Sequence, residues 1–449
     1  MVSAAEQLVS NLNFAAFAKA DELKKRIWFT LGALLIYRLG TYIPIPGVNP
    51  QALAEVFRQN QTGILGMFNM FSGGAVGRMA IFALNIMPYI SASIIIQLLT
   101  TVSPHLENLK KEGEQGRRQI NQYTRYGTVL LAALQGYGIA VGLEGAGNVV
   151  LDPGWFFRIT TAITLVGGTV FLMWLGEQIT ARGVGNGISL IIFAGIVAQL
   201  PHAIAGTLEL GRQGALSTTL IILLLIMAVV VIAVIVFMER AQRRLLVQYP
   251  KRQVGNRMSQ GDSSHLPLKL NSAGVIPPIF ASSLLLLPNT IAGMSTATGD
   301  TTGWWAESLR FVQAYLGHGS PVFIVLYGLL IIFFTFFYTS IVFNPEETAE
   351  NLRKYGGFIP GYRPGKRTAE HLDFVLTRLT VIGSLYITAV CVIPEILRGE
   401  FAGQFYIGGT SILIVVSVTM DTVAQIQSHL IGHQYEGMIK KARLGGRKK

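Results

Sequence analysis

The chain of 449 residues carries a formal net charge of +12, yet 51% of its residues are hydrophobic and only 13% are charged. Its length would accommodate about three soluble domains of roughly 150 residues, but a mean hydropathy of +0.47 and repeated long apolar runs exclude that and predict a polytopic membrane protein. The one cysteine, Cys391, lies inside an apolar run, which excludes an intrachain disulfide and a thiolate metal cluster and makes it a packing residue.

The first 26 residues are polar and basic, and the first apolar run ends in Pro44, Ile45, Pro46 and Gly47 instead of a small-residue cleavage site. A retained first span is therefore expected, not a signal peptide. A short apolar segment follows, with Ile64, Leu65, Met67, Phe68, Met70 and Phe71, and stops at Ser72, Gly73 and Gly74. Next comes a span over 75–100 that carries Asn85, Ser91, Ser93 and Gln97 and is expected to kink at Pro88. Non-spanning backbone at membrane depth is tolerated only inside protein or a water cavity. A re-entrant segment feeding a partly polar helix thus predicts a plugged or gated path.

The full set of predicted spans is 27–43, 75–100, 124–143, 155–176, 187–205, 219–238, 272–291, 321–343, 374–393 and 406–424. Ten spans place both termini on one side. Lysine and arginine concentrate at the N-terminus, in alternate loops and in the tail from Lys440 to Lys449, which predicts that both termini are cytoplasmic. The inner loops 239–271 and 344–373 are long, basic and rich in Gly and Pro, beyond ordinary connectors, which favours a binding role. An RNA-containing particle or an acidic protein surface would suit them, and anionic lipid would serve as well. The chain divides into 1–207 and 208–449, five spans each, so the halves have inverted topology with the working site between them.

Carriers coupled to protons or ions show ionisable groups at the bilayer midplane. Here Arg38, Arg78, Arg158 and Arg378 lie near span ends, and Arg38 can snorkel. His429 and His433 share a helix face, but Leu430 follows the first where a catalytic zinc helix needs Glu, so a solvated tail helix is expected. Gly183, Gly185 and Gly187 match neither dinucleotide nor P-loop spacing and predict a tight turn before span five. No set of nucleophile, base and orienter recurs, so no enzyme, cofactor or metal is expected. Ile86 with Ile90 and Ile188 with Ile192 are pairs at helical spacing, which in isolation read as packing or lipid-facing residues.

The chain resembles the SecY family of protein-translocation channels. The resemblance runs from the first span to the tail and rests on residues 43–47 (IPIPG), 67–74 (MFNMFSGG), 87–93 (MPYISAS), 174–180 (WLGEQIT), 185–189 (GNGIS), 265–269 (HLPLK), 343–346 (FNPE) and 361–365 (GYRPG). It implies an all-α membrane protein of ten helices in two inverted halves around a pore, passing unfolded polypeptide across the bacterial inner membrane and apolar segments sideways into lipid. The implied constriction is a ring of Ile86, Ile90, Ile188, Ile192, Ile279 and Ile414. A narrow branched-aliphatic ring dewets and blocks ions while selecting no particular sequence.

Residues 61–74 match the family's plug, with Gly63, Ile64, Met67, Phe68, Asn69, Met70 and Phe71 as its body and Gly73 and Gly74 as a hinge. Ser91, Ser93, Gln97, Gln135 and Ser282 are implied at a lateral gate, where interhelical hydrogen bonds average under about 1 kcal/mol. Arg257 and Arg363 are the implied docking residues for the ribosome, including its RNA, or for the motor ATPase SecA. SecE and SecG are the implied companion subunits, with signal-bearing polypeptide as substrate. The rival reading, an ion or small-solute carrier with inverted repeats, predicts a different permeant.

Overall fold

The computed structural model describes residues 21–59, 69, 71–145, 149–214, 217–250, 253–254, 257–258, 263–285, 320–400 and 408–445. Among them the helices are α1 Asp21–Gly40, α2 Pro50–Gln59, α3 Met87–Val102, α4 Pro104–Lys111, α5 Glu114–Gly145, α6 Trp155–Arg182, α7 Gly187–Arg212 and α8 Thr218–Arg240. They continue with α9 Ile276–Leu285, α10 Pro321–Val342, α11 Pro345–Lys354, α12 Lys366–Glu400 and α13 Gly409–Gly445. Among the described residues, seven segments are long and apolar enough to cross a bilayer, in α5 to α8, α10, α12 and α13. Their lipid-compatible faces are plain on α8, where Leu223, Leu225, Ile226, Val229, Val230 and Phe237 are all exposed. The chain is a helical membrane protein.

The other three predicted spans differ in kind. α1 has a charged first turn, and α9 covers only the described start of the seventh span. The second departs from expectation: it is not one helix over 75–100. The chain turns from Ser72 to Ile86, and only Met87–Val102 is helical. Pro88 therefore sits in the helix's first turn, where its missing N–H is harmless, and causes no kink. The preceding backbone finds partners elsewhere: Ile45 N–H donates to the Met79 carbonyl (2.9 Å) and Ile81 N–H to the Ile43 carbonyl (3.0 Å). Beyond Val102 the axis turns by 97° into α4.

The described residues form two compact units, one holding those of 21–205 and 418–445, the other those of 206–285 and 320–417. In the first, Tyr37, Phe82, Phe171 and Trp174 form a continuous row of rings with centroids 5.8–6.2 Å apart, tying α1 to α6. Glu144 closes the α5–α6 connection by accepting from Gly154 N–H (2.9 Å) and from Arg158 Nε (2.7 Å). The glycines before α7 form the expected tight turn, held by Gln425 Oε1 on Gly185 N–H (2.8 Å) and Thr180 Oγ1 on Gly187 N–H (2.9 Å).

The second unit contains strands, which an all-helical expectation did not include. β1 Gln242–Gln248 pairs antiparallel with β4 Ser263–Lys269, and the two-residue strands β2 Gln253–Val254 and β3 Arg257–Met258 pair with each other. Leu245 and Val247 alternate inward on β1, as does Leu268 on β4. They bury against Ala349, Ile359, Leu372, Val375 and Leu379. Gln248 also exchanges two backbone hydrogen bonds of 2.9 Å with Phe358. Both long basic loops are thereby built into one small cap on α12.

Candidate functional site

The turn between Ser72 and Ile86 is where the first unit departs most from regular structure. Gly73 and Gly74 take φ of +66° and +87°, which glycine reaches without steric cost, whereas Met79 (+46°) and Asn85 (+50°) hold the same left-handed region with side chains. Asn85 is buried, and its Nδ2 donates to the Phe71 carbonyl at 2.7 Å. Asn69 closes the turn twice: its carbonyl accepts from Gly74 N–H (2.7 Å) and its Oδ1 from Gly77 N–H (2.7 Å). Helix α7 presses against this backbone so closely that a Cβ at Gly195 would overlap the Phe71 carbonyl.

Two arginines meet there. Arg38 Nη1 donates to the Gly73 carbonyl at 2.6 Å, and Arg78 Nη2 donates to the same oxygen at 3.1 Å. Arg78 Nε also donates to the Thr41 carbonyl (3.1 Å). The ring of Tyr42 lies 4.2 Å from the Arg78 guanidinium and 5.0 Å from that of Arg38. The span-end positions of both arginines are visible in the sequence. Their convergence has no sequence signal, because 35 and five residues separate them from Gly73.

Of the implied ring, Ile86 caps α3 and Ile90 lies one turn on, both buried. On α7, Ile192 is buried and Ile188 half-buried. In the other unit Ile279 on α9 and Ile414 on α13 are buried as well. Of the implied plug, Asn69 and Phe71 are described, Phe71 being buried; Gly63, Ile64, Met67, Phe68 and Met70 lie outside the described residues.

Three of the implied gate residues, Ser93, Gln97 and Ser282, make bonds within their own helices. Gln97 Nε2 donates to Ser93 Oγ (3.2 Å), and Ser282 Oγ donates to the Ile279 carbonyl (2.9 Å). Ser91 is buried, and the side-chain oxygens of Gln97 and Gln135 are buried without a hydrogen-bond partner among the described residues. Arg363 is exposed between Gly361 (φ +88°) and Gly365 (φ +104°). Its carbonyl accepts from Thr368 Oγ1 (2.8 Å), and Tyr362 stacks on His371 at 3.9 Å. The backbone of Arg257 is paired in β3, and its side chain lies outside the described residues.

The family model for SecY matches residues 80–423. Protein translocase subunit SecY of Rickettsia conorii is 58% identical over 428 residues, covering 94% of this chain and 97% of the relative. That of Escherichia coli (strain K12) is 56% identical over 429 residues, covering 95% and 96%. Among solved structures, one described as a protein conducting channel superposes with a TM-score of 0.64 at 20% identity, covering 90% of this chain and 92% of that one. A second concerns the plug domain of SecY, described as stabilising the closed state and maintaining a membrane seal, with TM-score 0.60, 19% identity and the same coverage. A third, Sec61 in the canine ribosome–channel complex, gives 0.60 at 18% identity with the same coverage. With a family model spanning most of its length and relatives more than half identical from end to end, this chain belongs to the SecY family.

Proposed function

We propose that the chain is a protein-conducting channel that passes unfolded secretory polypeptides across the bacterial inner membrane and releases apolar segments sideways into lipid. The single observation that carries this reading is the near-full-length identity to translocase subunits. Helices long and apolar enough to cross a bilayer, and the burial of Ile86, Ile90, Ile192, Ile279 and Ile414, support it. The ring of Ile86, Ile90, Ile188, Ile192, Ile279 and Ile414 seals by dewetting. Residues 61–74 are the plug, and Ser91, Ser93, Gln97, Gln135 and Ser282 edge the lateral gate between the inverted halves 1–207 and 208–449. Intrahelical bonds of the kind made by Gln97 and Ser282 leave the helices free to part.

Both termini lie in the cytoplasm, so the cap carrying Arg257 and Arg363 faces the ribosome and its RNA or SecA. SecE and SecG complete the complex, and energy comes from the docked partner. The test is transport by the chain reconstituted in liposomes with its companion subunits. A signal-bearing precursor should become protease-protected on addition of motor and ATP. Protection of small solutes or ions alone, with no precursor uptake, would favour the carrier reading instead.

A further inference from the structure

Arg38 and Arg78 place two cations on one oxygen. Among the described residues neither has a carboxylate partner, unlike Arg125 with Glu177 and Arg158 with Glu144 in the same unit. Like charges this close repel, and the arrangement holds because both guanidiniums donate to the Gly73 carbonyl and both flank the Tyr42 ring. The oxygen they share belongs to a glycine in the left-handed region, followed by a second. Backbone rotation there carries little steric cost for glycine itself, so the bonds to the oxygen add to the restraint that the Asn69 hydrogen bonds and helix α7 place on this turn.

The neighbouring anchor differs in kind. Asn85 to Phe71 is a fully buried, neutral bond, and breaking it would strand two polar groups. The arginine bonds are part-buried. On release, Arg78 keeps Thr41 and Tyr42, and Arg38 keeps its contact with the Tyr42 hydroxyl (3.1 Å). The two anchors thus differ in the cost of release, which is higher for the buried Asn85 bond than for the part-buried arginine bonds.

We propose that Arg38 and Arg78 form a two-pronged clasp on Gly73 that sets how readily the channel opens, acting as positioning residues for the segment that ends at Gly74. The inference rests on the plug reading above. The experiment uses the complete complex in liposomes. It measures ion conductance without substrate and uptake of a precursor with a weakened signal sequence. Arg38→Gln and Arg78→Gln should each raise both by about tenfold, equivalent to about 1.4 kcal/mol. Arg78→Lys, which keeps the charge but loses the planar fork, should give a smaller rise, and it also supplies the reading if a glutamine variant fails to assemble.

In a complex lacking residues 61–68, which keeps Asn69 to close the turn, Arg38→Gln should change neither quantity, because the clasp would have nothing left to restrain. A conductance rise that persists in that background would mean a general structural defect and overturn the proposal. So would glutamine and lysine variants that all behave like the parent. If the deletion opens the channel while the arginine variants stay tight, the clasp alone fails. If the deletion too leaves the channel tight, the plug reading fails with it.

Discussion

Isoleucine is the residue on which the proposed seal depends, and its chemistry is legible only by position. Ile86 and Ile414 are both almost completely buried, like dozens of lipid-span residues, and nothing in their immediate sequence separates them. A constriction of branched aliphatics excludes water because no polar atom lines it. Replacing Ile86 or Ile414 by Asn supplies two donors and an acceptor and should wet the constriction. Ion conductance of the resting complex should rise at least about tenfold in planar bilayers, with relaxed signal-sequence stringency. Conductance and stringency both at the parent level would remove the ring assignment. Asn85 makes the converse point: it reads as a polar residue on a path, yet its amide nitrogen is spent on the Phe71 carbonyl.

Among the elements, the cap on α12 departs furthest from a loop. Its length and charge are readable in the chain, and so, in retrospect, is the alternation of Leu245 and Val247 on β1. Arg243 and Arg244 inside β1 and Pro267 inside β4 mask that period, and short ribbons gain their stability from packing on a neighbour, here Leu372 and Val375. The Gly361–Gly365 turn on this cap presents Arg363 outward with its carbonyl tied to Thr368. Arg363→Glu should lower precursor uptake by at least about tenfold and weaken ribosome or motor binding, while ion tightness stays at the parent level. Full motor-driven uptake in that variant would sink the docking role. The second span shows the opposite failure of pattern. Apolar residues over 75–100 suggest one helix, but left-handed Met79 and Asn85 and pairing with residues 43–45 break it.

For the molecule as a whole, the proposed lateral release requires the proposed halves 1–207 and 208–449 to part and rejoin. Ser91 and Ser282 mark the two proposed edges of that movement. A complex carrying Ser91→Cys and Ser282→Cys should lose precursor uptake when oxidised and regain it on reduction, read by protease protection. Unimpaired uptake through a quantitatively crosslinked complex would rule out lateral opening between these helices.

Composition and hydropathy were enough to establish a polytopic membrane protein, because the bilayer demands long apolar helices from any sequence that crosses it. Motif runs along the chain were enough to place it in its family, and the length and charge of the basic loops set the expectation of a binding role. Folding alone decided how the second span begins, that the basic loops become a ribbon cap, and that Arg38 and Arg78 meet on Gly73. The physical reason is common to all three. Each depends on backbone donors and acceptors finding partners far along the chain, and a side-chain pattern encodes burial and period but not which distant carbonyl a donor will reach.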